Sequence, residues 1–384
     1  MVGYGFMGAA HSQGWRVAPR FFDLAATPTM GVLVGRNAEA VSIAAARWGW
    51  STSATDWRAV IARDDIDIVD IVTPGDFHAV IAIAALDAGK HVLCEKPLAN
   101  TLIEAQAMAA AAKRAATKGV FAMLGHTYRR VPAVTFARDL IADGAVGDIF
   151  QVRASYRQDW LIDPQTPLAW RLQKHLAGSG ALGDIGAHIV DLSQFMTGLT
   201  LESVSGTLET IVSRRPLLES TAGLSGTGSS EYGDVTVDDA AMFTGRFDSG
   251  ALGTFEATRF ATGRKNAMRI EISGSRGALA FDLEDLNALE FYDATAPATR
   301  QGFTKILVTE PEHPYISHWW PAGHMLGYEH AFSHQARDFI DSIVAGQQPT
   351  PSFADGLQVQ RVLDAVETSS KDGSTWTSTR GQPE

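Results

Sequence analysis

The chain has 384 residues, 45% of them hydrophobic and 20% charged, a soluble globular balance too long for one ordinary core, so two domains are expected. Its 32 basic and 43 acidic residues give a net charge of -11, which argues against nucleic acid or an anionic membrane as partner and for a small molecule. The one cysteine, Cys94, leaves no intrachain disulfide or cysteine-rich zinc site and fits a reducing cytoplasm. Apolar runs such as "AVIAIAALDAG" are shorter than the roughly 20 residues that span a bilayer, and no basic-then-apolar signal segment opens the chain.

The chain starts "MVGYGFMGAAHSQGW", in which Gly3, Gly5 and Gly8 are spaced as G-x-G-x-x-G. In a dinucleotide fold the first glycine permits a tight turn, the second lets backbone approach a pyrophosphate, and the third lets helix pack on strand. The loop normally follows a strand of about five or six residues. Only Met1 and Val2 precede it here, so the first strand is expected to begin upstream of the recorded start. "MGVLVG", "IDIVDIVTP", "HVLCEKP" and "VFAMLGH" read as buried strands, and "AEAVSIAAARWGW", "HAVIAIAALDAGK" and "TLIEAQAMAAAAKRAAT" as helices between them. This alternation predicts an α/β Rossmann fold, a doubly wound parallel sheet, over residues 1–125.

From 126 to 384 the expectation is an α+β domain with a large, mostly antiparallel open sheet. "DIFQVRASYR", "AAMFTGRF", "GALGTFEATR", "AMRIEISG" and "GALAFDL" read as its strands, with helices around "IGAHIVDLSQFMTG" and "HAFSHQARDFIDSIVAG". The Gly-, Ser- and Thr-rich stretch 220–235 reads as a mobile loop. The sheet is expected to serve both the substrate pocket and a subunit contact, because an open sheet needs its other face covered.

Two clusters carry candidate chemistry. Lys96, in "CEKP", follows a predicted parallel strand, the end at which open α/β sheets bind ligands. Asp184 and His188, in "GALGDIGAHIVDL", lie one helical turn apart, where a carboxylate orients an imidazole and stabilises its protonated form. His188 and Asp191 also sit at helical spacing, but no third ligand is visible, so no metal is expected. The ribose-binding acid expected after the second strand is replaced by Gly35, with Arg36 beside it, and an arginine there pairs with the 2'-phosphate of NADP.

The ordered set G-x-G-x-x-G, "TPGDFH", "EKP", "HTYRRVPA", "WR" and "GALGDIGAH" resembles the glucose-fructose oxidoreductase and inositol dehydrogenase family, often called Gfo/Idh/MocA. With "YRQDWLIDPQTPLAWRLQKHLAGSGALGDIGAHIVDL", "VDDAAMFTGRF", "EATR", "EHPY" and "PSFADGLQV", it is most similar to the levoglucosan dehydrogenase branch. The resemblance implies that Lys96 hydrogen-bonds the reacting oxygen, that His188 takes its proton and that Asp184 orients or relays to His188. It implies a cofactor site of Gly3, Gly5, Phe6, Met7, Gly8, Arg36, Thr73, Pro74, His78, Glu95, Lys96, His126, Trp170 and Arg171, with Glu95 near the nicotinamide ribose. Tyr128, Arg129, Gln158, Asp159, Trp160 and Lys174 are implied around the sugar. Two positions depart from the pattern: His126 stands where the family has Asn, and Gly35 with Arg36 where the branch has an acid.

The implied enzyme is an NAD(P)-dependent dehydrogenase, with NAD or NADP as cofactor, that oxidises a secondary ring hydroxyl of a pyranose such as levoglucosan, at C3, to a ketone. A cytoplasmic homo-oligomer, dimer or tetramer, goes with it. Cyclitol oxidation, glycoside 3-oxidation with a retained cofactor, and a non-catalytic NAD(P)-binding role are the alternatives; an intact Lys96, Asp184 and His188 argues against the last.

Overall fold

The computed structural model describes residues 1–222 and 225–380, and leaves the side chains of 220–225 undescribed. The first half runs α1 (Phe6–Phe21), β1 (Val32–Val34), α2 (Ala38–Trp48), β2 (Thr52–Ala54), α3 (Trp57–Ile61), β3 (Ile68–Ile71), α4 (His78–Asp87), β4 (His91–Glu95), α5 (Leu102–Ala116) and β5 (Ala122–Gly125). β2 pairs with β1, and β3, β4 and β5 pair in that order, all parallel. Val2 bridges the two groups through parallel contacts with Val34 and Ile71, so the residues before the glycine loop occupy the central strand position. Burial of β1, β3, β4 and β5 on both faces explains their largely apolar runs, whereas β2 is largely exposed. Thr101 and Glu104 form a capping box at the start of α5, each accepting a hydrogen bond from the other's backbone N–H.

The second half comprises α6 (Pro132–Ala142), β6 (Ile149–Arg157), α7 (Lys174–Ala177), α8 (Ala187–Thr197), β7 (Leu201–Glu209), β8 (Arg214–Ala222), β9 (Ser225–Asp234), β10 (Ala240–Phe247), β11 (Leu252–Thr258), β12 (Ala267–Gly274), β13 (Gly277–Asp282), β14 (Ala288–Asp293), β15 (Phe303–Leu307), α9 (His330–Val344), α10 (Phe353–Lys371) and β16 (Thr377–Ser378). Nine strands form one sheet in the order β15-β14-β13-β12-β6-β11-β10-β7-β16, antiparallel except for the β6–β11 pair. Alternation along β10, with Ala241, Phe243, Gly245 and Phe247 buried, places one face on the helices.

The reading of 220–235 as a loop is corrected for 220–222 and 225–234, while 223 and 224 lie outside the described residues. β8 and β9 pair antiparallel as a separate hairpin, with register shifts between Pro216 and Leu218 and between Leu218 and Ser220. Ladder hydrogen bonds supply what the glycine- and serine-rich composition does not signal.

The last helices return to the first half. Phe353 of α10 is buried in the core of the parallel sheet. Phe339 and Ile340 of α9 share a buried cluster with Trp15 and Ala18 of α1. At Gly14 α1 approaches α9 closely, since a Cβ there would lie 2.7 Å from the Phe332 carbonyl oxygen. Gly14→Ala should therefore destabilise the fold. Overpacking costs about 1–3 kcal/mol, and the gain in helix propensity returns up to about 1 kcal/mol, so a net loss of about 1 kcal/mol is expected as a lower urea midpoint at unchanged slope. An unchanged midpoint would contradict the close approach.

Candidate active site

The glycine loop has the geometry a dinucleotide needs. Gly3 has a φ of 110°, and a Cβ on it would meet the Val72 carbonyl oxygen at 2.8 Å. A Cβ on Gly8 would lie 2.9 Å from the Gly3 carbonyl oxygen, whereas one on Gly5 would meet nothing within 4 Å. Gly3 thus makes the turn, Gly8 the close packing, and Gly5 leaves backbone open to a ligand. Phe6 is exposed and stacks on Tyr328 at 6.3 Å, while Met7 packs into the Tyr4 and Trp48 cluster.

Beyond the strand ends, several buried polar atoms make no hydrogen bond within the protein: Thr73 Oγ1, Asp76 Oδ1, Asn100 Oδ1 and both ring nitrogens of His126. Orphaned polar groups beside an open glycine loop fit a dinucleotide, whose hydroxyl, phosphate and amide groups satisfy them. His126 is fully buried, and that burial, against the opposing charge of Asp191, lowers its pKa to about 4, so it is neutral. The His78 ring lies 2.9 Å from the Pro97 carbonyl oxygen and 3.0 Å from that of Thr73, bracing the two cofactor loops against each other. Arg36 is exposed, and the ring of Tyr4 fills the space that a side chain on Gly35 would need.

The candidate catalytic cluster lies where the end of β4 meets the start of α8. Lys96 Nζ donates to the Asp184 carbonyl oxygen at 2.6 Å and to its carboxylate at 3.3 Å, and Arg259 Nη2 donates to the same carboxylate at 2.8 Å. Burial alone would raise the Asp184 pKa, but Lys96, Arg259 and Arg171 hold it well below the ordinary carboxylate range. The segment Leu182–Gly186 that carries Asp184 is a turn of π-helix, a feature frequent at functional sites. Asp238 anchors it by accepting from the Gly180 and Leu182 N–H groups, both at 2.7 Å.

His188 packs against Tyr128, with ring centroids 4.7 Å apart, and stands 5.9 Å from the ring of His126. Burial, followed by the charge of Lys96, pushes its pKa well below the usual histidine value. Two expectations are corrected by this geometry. The described hydrogen bonds of the Asp184 side chain go to Lys96 and Arg259 and not to His188, so Asp184 does not orient the imidazole directly. His188 is also held neutral, since desolvation outweighs the neighbouring carboxylate.

A polar chain lines the second half of the site. Tyr128 and Tyr156 hydroxyls lie 3.0 Å apart, Tyr156 donates to Asn266 Oδ1, Gln158 Nε2 donates to the same oxygen, and Trp160 Nε1 donates to Gln158. Trp160 also lies under the Arg259 guanidinium, 5.3 Å from its ring centroid, and Arg171 stacks on Trp170 at 4.3 Å. Trp160 is 37% exposed, so its ring is open to a ligand.

Three expected sugar contacts are engaged elsewhere. Arg129 makes a buried two-pronged bond to Asp191 at 2.6 and 2.9 Å. Asp159 accepts from Lys265 and from the Gly263 N–H. Lys174 pairs with Glu367 at 2.6 Å, beside a separate cavity of about 200 Å³. Among the described residues no group of three or more His, Cys, Asp or Glu is placed to hold a metal ion. Sequence reasoning missed Arg259, Tyr156 and Asn266; "EATR" held the first in plain view, but nothing local marks its partner.

Comparison with known proteins agrees with this architecture. Residues 1–125 match the oxidoreductase family model with an NAD-binding Rossmann fold, and residues 134–280 match the Gfo/Idh/MocA C-terminal domain model. The chain is 43% identical, over 95% of its length and 94% of the relative's, to levoglucosan dehydrogenase of Pseudarthrobacter phenanthrenivorans. Its fold is similar to the crystal structure of an oxidoreductase domain protein from Kribbella flavida, with a TM-score of 0.94 and 62% identity over 99% of this chain and 98% of that one. It is also similar to levoglucosan dehydrogenase in complex with NADH and levoglucosan, with a TM-score of 0.92 and 41% identity over 99% and 98% of the two chains. No helix among the described residues is long and apolar enough to cross a membrane. The protein is an NAD-dependent oxidoreductase of the Gfo/Idh/MocA family.

Proposed function

We propose that the protein is a sugar dehydrogenase that oxidises a secondary ring hydroxyl of a pyranose, levoglucosan or a close relative, at C3. The observation that carries this reading is that Lys96 Nζ, held by Asp184, is near enough to His188 for its charge to lower the imidazole pKa. Residues 1–125 serve as the nucleotide half and 126–384 as the substrate half. Thr73, Asn100, His126 and Glu95, with the loop of Gly3, Gly5 and Gly8, would hold the coenzyme, whose nicotinamide accepts a hydride when bound.

In this reading Lys96 donates to the reacting hydroxyl oxygen and lowers the energy of the negative charge that develops on it. His188 is unprotonated at neutral pH and accepts the hydroxyl proton as the carbonyl forms. Trp160 presents an apolar face to the ring, and Gln158, fixed by Asn266, a polar edge. Arg171 and Arg259 keep Asp184 ionised, so that the Lys96 ammonium remains tethered to it.

Exposed Arg36 beside Gly35 supports acceptance of NADP as well as NAD. Exposed Met242 and Leu252 on the outer face of the nine-stranded sheet support a homo-oligomer, dimer or tetramer. Light scattering measures the latter.

Initial rates at 340 nm with levoglucosan, glucose and myo-inositol, each with NAD and NADP, test the substrate and coenzyme. Levoglucosan should be turned over best, and a clear preference for myo-inositol would replace the pyranose reading with a cyclitol one. Lys96→Ala and His188→Ala should each lower kcat by about 10²–10⁴-fold while NADH still binds; near-normal turnover in either variant removes its role. Because the His188 pKa is depressed, its base form persists as pH falls through the usual histidine range, so kcat/KM should show no limb near 6.5. Arg259→Met should lower the urea midpoint and move the acid limb of kcat/KM to higher pH, because Asp184 is released from one of its cations. Loss of stability with an unmoved limb would make Arg259 a purely structural partner.

A further inference from the structure

A buried ion triad lies directly beneath the site and has no part in the reaction as described so far. His11, on the buried face of α1, points Nδ1 at both carboxylate oxygens of Asp70, each 3.0 Å away, and Nε2 at Glu95 Oε1, 2.9 Å away. His11, Asp70 and Glu95 are 2%, 2% and 4% exposed. A neutral imidazole carries one N–H and would set a lone pair against one of the carboxylates; only the imidazolium donates to both. Trp15, one turn along α1, adds a 2.7 Å bond from its indole N–H to Asp70.

The other oxygen of Glu95 is also occupied. Glu95 Oε2 accepts from the Lys96 backbone N–H at 3.1 Å. A Cβ on Gly125 would lie 2.9 Å from Glu95 Oε1, so the neighbouring strand closes off one side of the carboxylate. Glu95 therefore has one orientation, set by His11 on one side and by the residue that bears the reacting lysine on the other.

We infer that His11 is a positioning residue for the reaction: clamped between Asp70 and Glu95 and donating to both, it holds the Glu95 carboxylate in one orientation, aimed at the nicotinamide ribose. The inference rests on the reading of Glu95 as the ribose contact. Its consequence is that coenzyme affinity and the setting of Lys96 depend on a charge that touches neither coenzyme nor sugar.

The groups that face His11 are Asp70 on β3, Glu95 on β4 and the Phe332 ring of α9, with ring centroids 5.4 Å apart. Burial by itself would lower the His11 pKa, but Asp70 and then Glu95 raise it to about 10. Such a group contributes its full stabilisation below its ordinary value and loses it as pH rises through about 10.

The test is NADH affinity, measured by fluorescence without sugar, so that a wrong sugar assignment does not affect it. His11→Gln, folded by circular dichroism, should weaken NADH binding by about tenfold or more, the effect of losing a charged hydrogen bond, and lower kcat with levoglucosan by a similar factor. Trp15→Phe removes a bond to Asp70 in the same core without touching Glu95, and should lower the unfolding midpoint while leaving NADH affinity within about twofold. His11→Gln with NADH affinity unchanged, or Trp15→Phe with an equal loss, overturns the inference. Should His11→Gln not fold, NADH affinity of Lys96→Ala from pH 8 to 11 gives the answer, since that variant lacks the lysine next to Glu95. Affinity should fall as pH rises through about 10, where His11 loses its proton; a flat curve overturns the inference.

Discussion

The ion cluster of Lys96, Asp184 and Arg259 is the constraint on which the site depends. Lys96 follows β4 of the parallel sheet, Asp184 precedes α8, and Arg259 follows β11 of the large sheet, so one carboxylate ties three layers of the molecule together. Two charges 4 Å apart near a protein surface attract by about 4 kcal/mol, a gain that desolvation of both largely offsets. The cluster therefore adds little net stability, and the loss of one cation leaves Asp184 with the others. Its contribution is to geometry more than to stability: the ammonium is held at a fixed point between the two halves.

The same cluster separates the protonation states of two side chains four residues apart. Asp184 has cations around it and stays ionised; His188 has aromatic rings and the Lys96 charge around it and stays neutral. Titratable groups driven in opposite directions by their surroundings are how a site obtains a charge and a base at one pH. A hydrogen-bonded carboxylate–imidazole pair would have tied the two together and raised the histidine. The π-turn at Leu182–Gly186 and the arginine from β11 send the carboxylate elsewhere.

Much of this was legible in the sequence because it is local. The glycine spacing, the strand and helix periods of the first half, and the positions of Lys96, Asp184 and His188 follow from residues near in the chain. What was not legible depends on distant pairing. The hairpin of β8 and β9 carries no apolar alternation and forms through its ladder. Arg129 reads as a pocket residue until Asp191, 62 positions later, takes both of its donors. Arg259 sits 75 residues from the carboxylate it holds, and Asn266 108 from Gln158.

The end of β4 shows why two charged networks can share one short segment. Successive side chains of a strand point to opposite faces. Glu95 accordingly turns toward α1 and meets His11, while Lys96 turns toward the second half and meets Asp184. Neither side chain has to yield space to the other, and the backbone between them is fixed because the Lys96 N–H donates to Glu95. A shift of either network is thus transmitted to the other through a single peptide unit. Glu95 and Lys96 thus hold their relative position without a direct contact between their side chains.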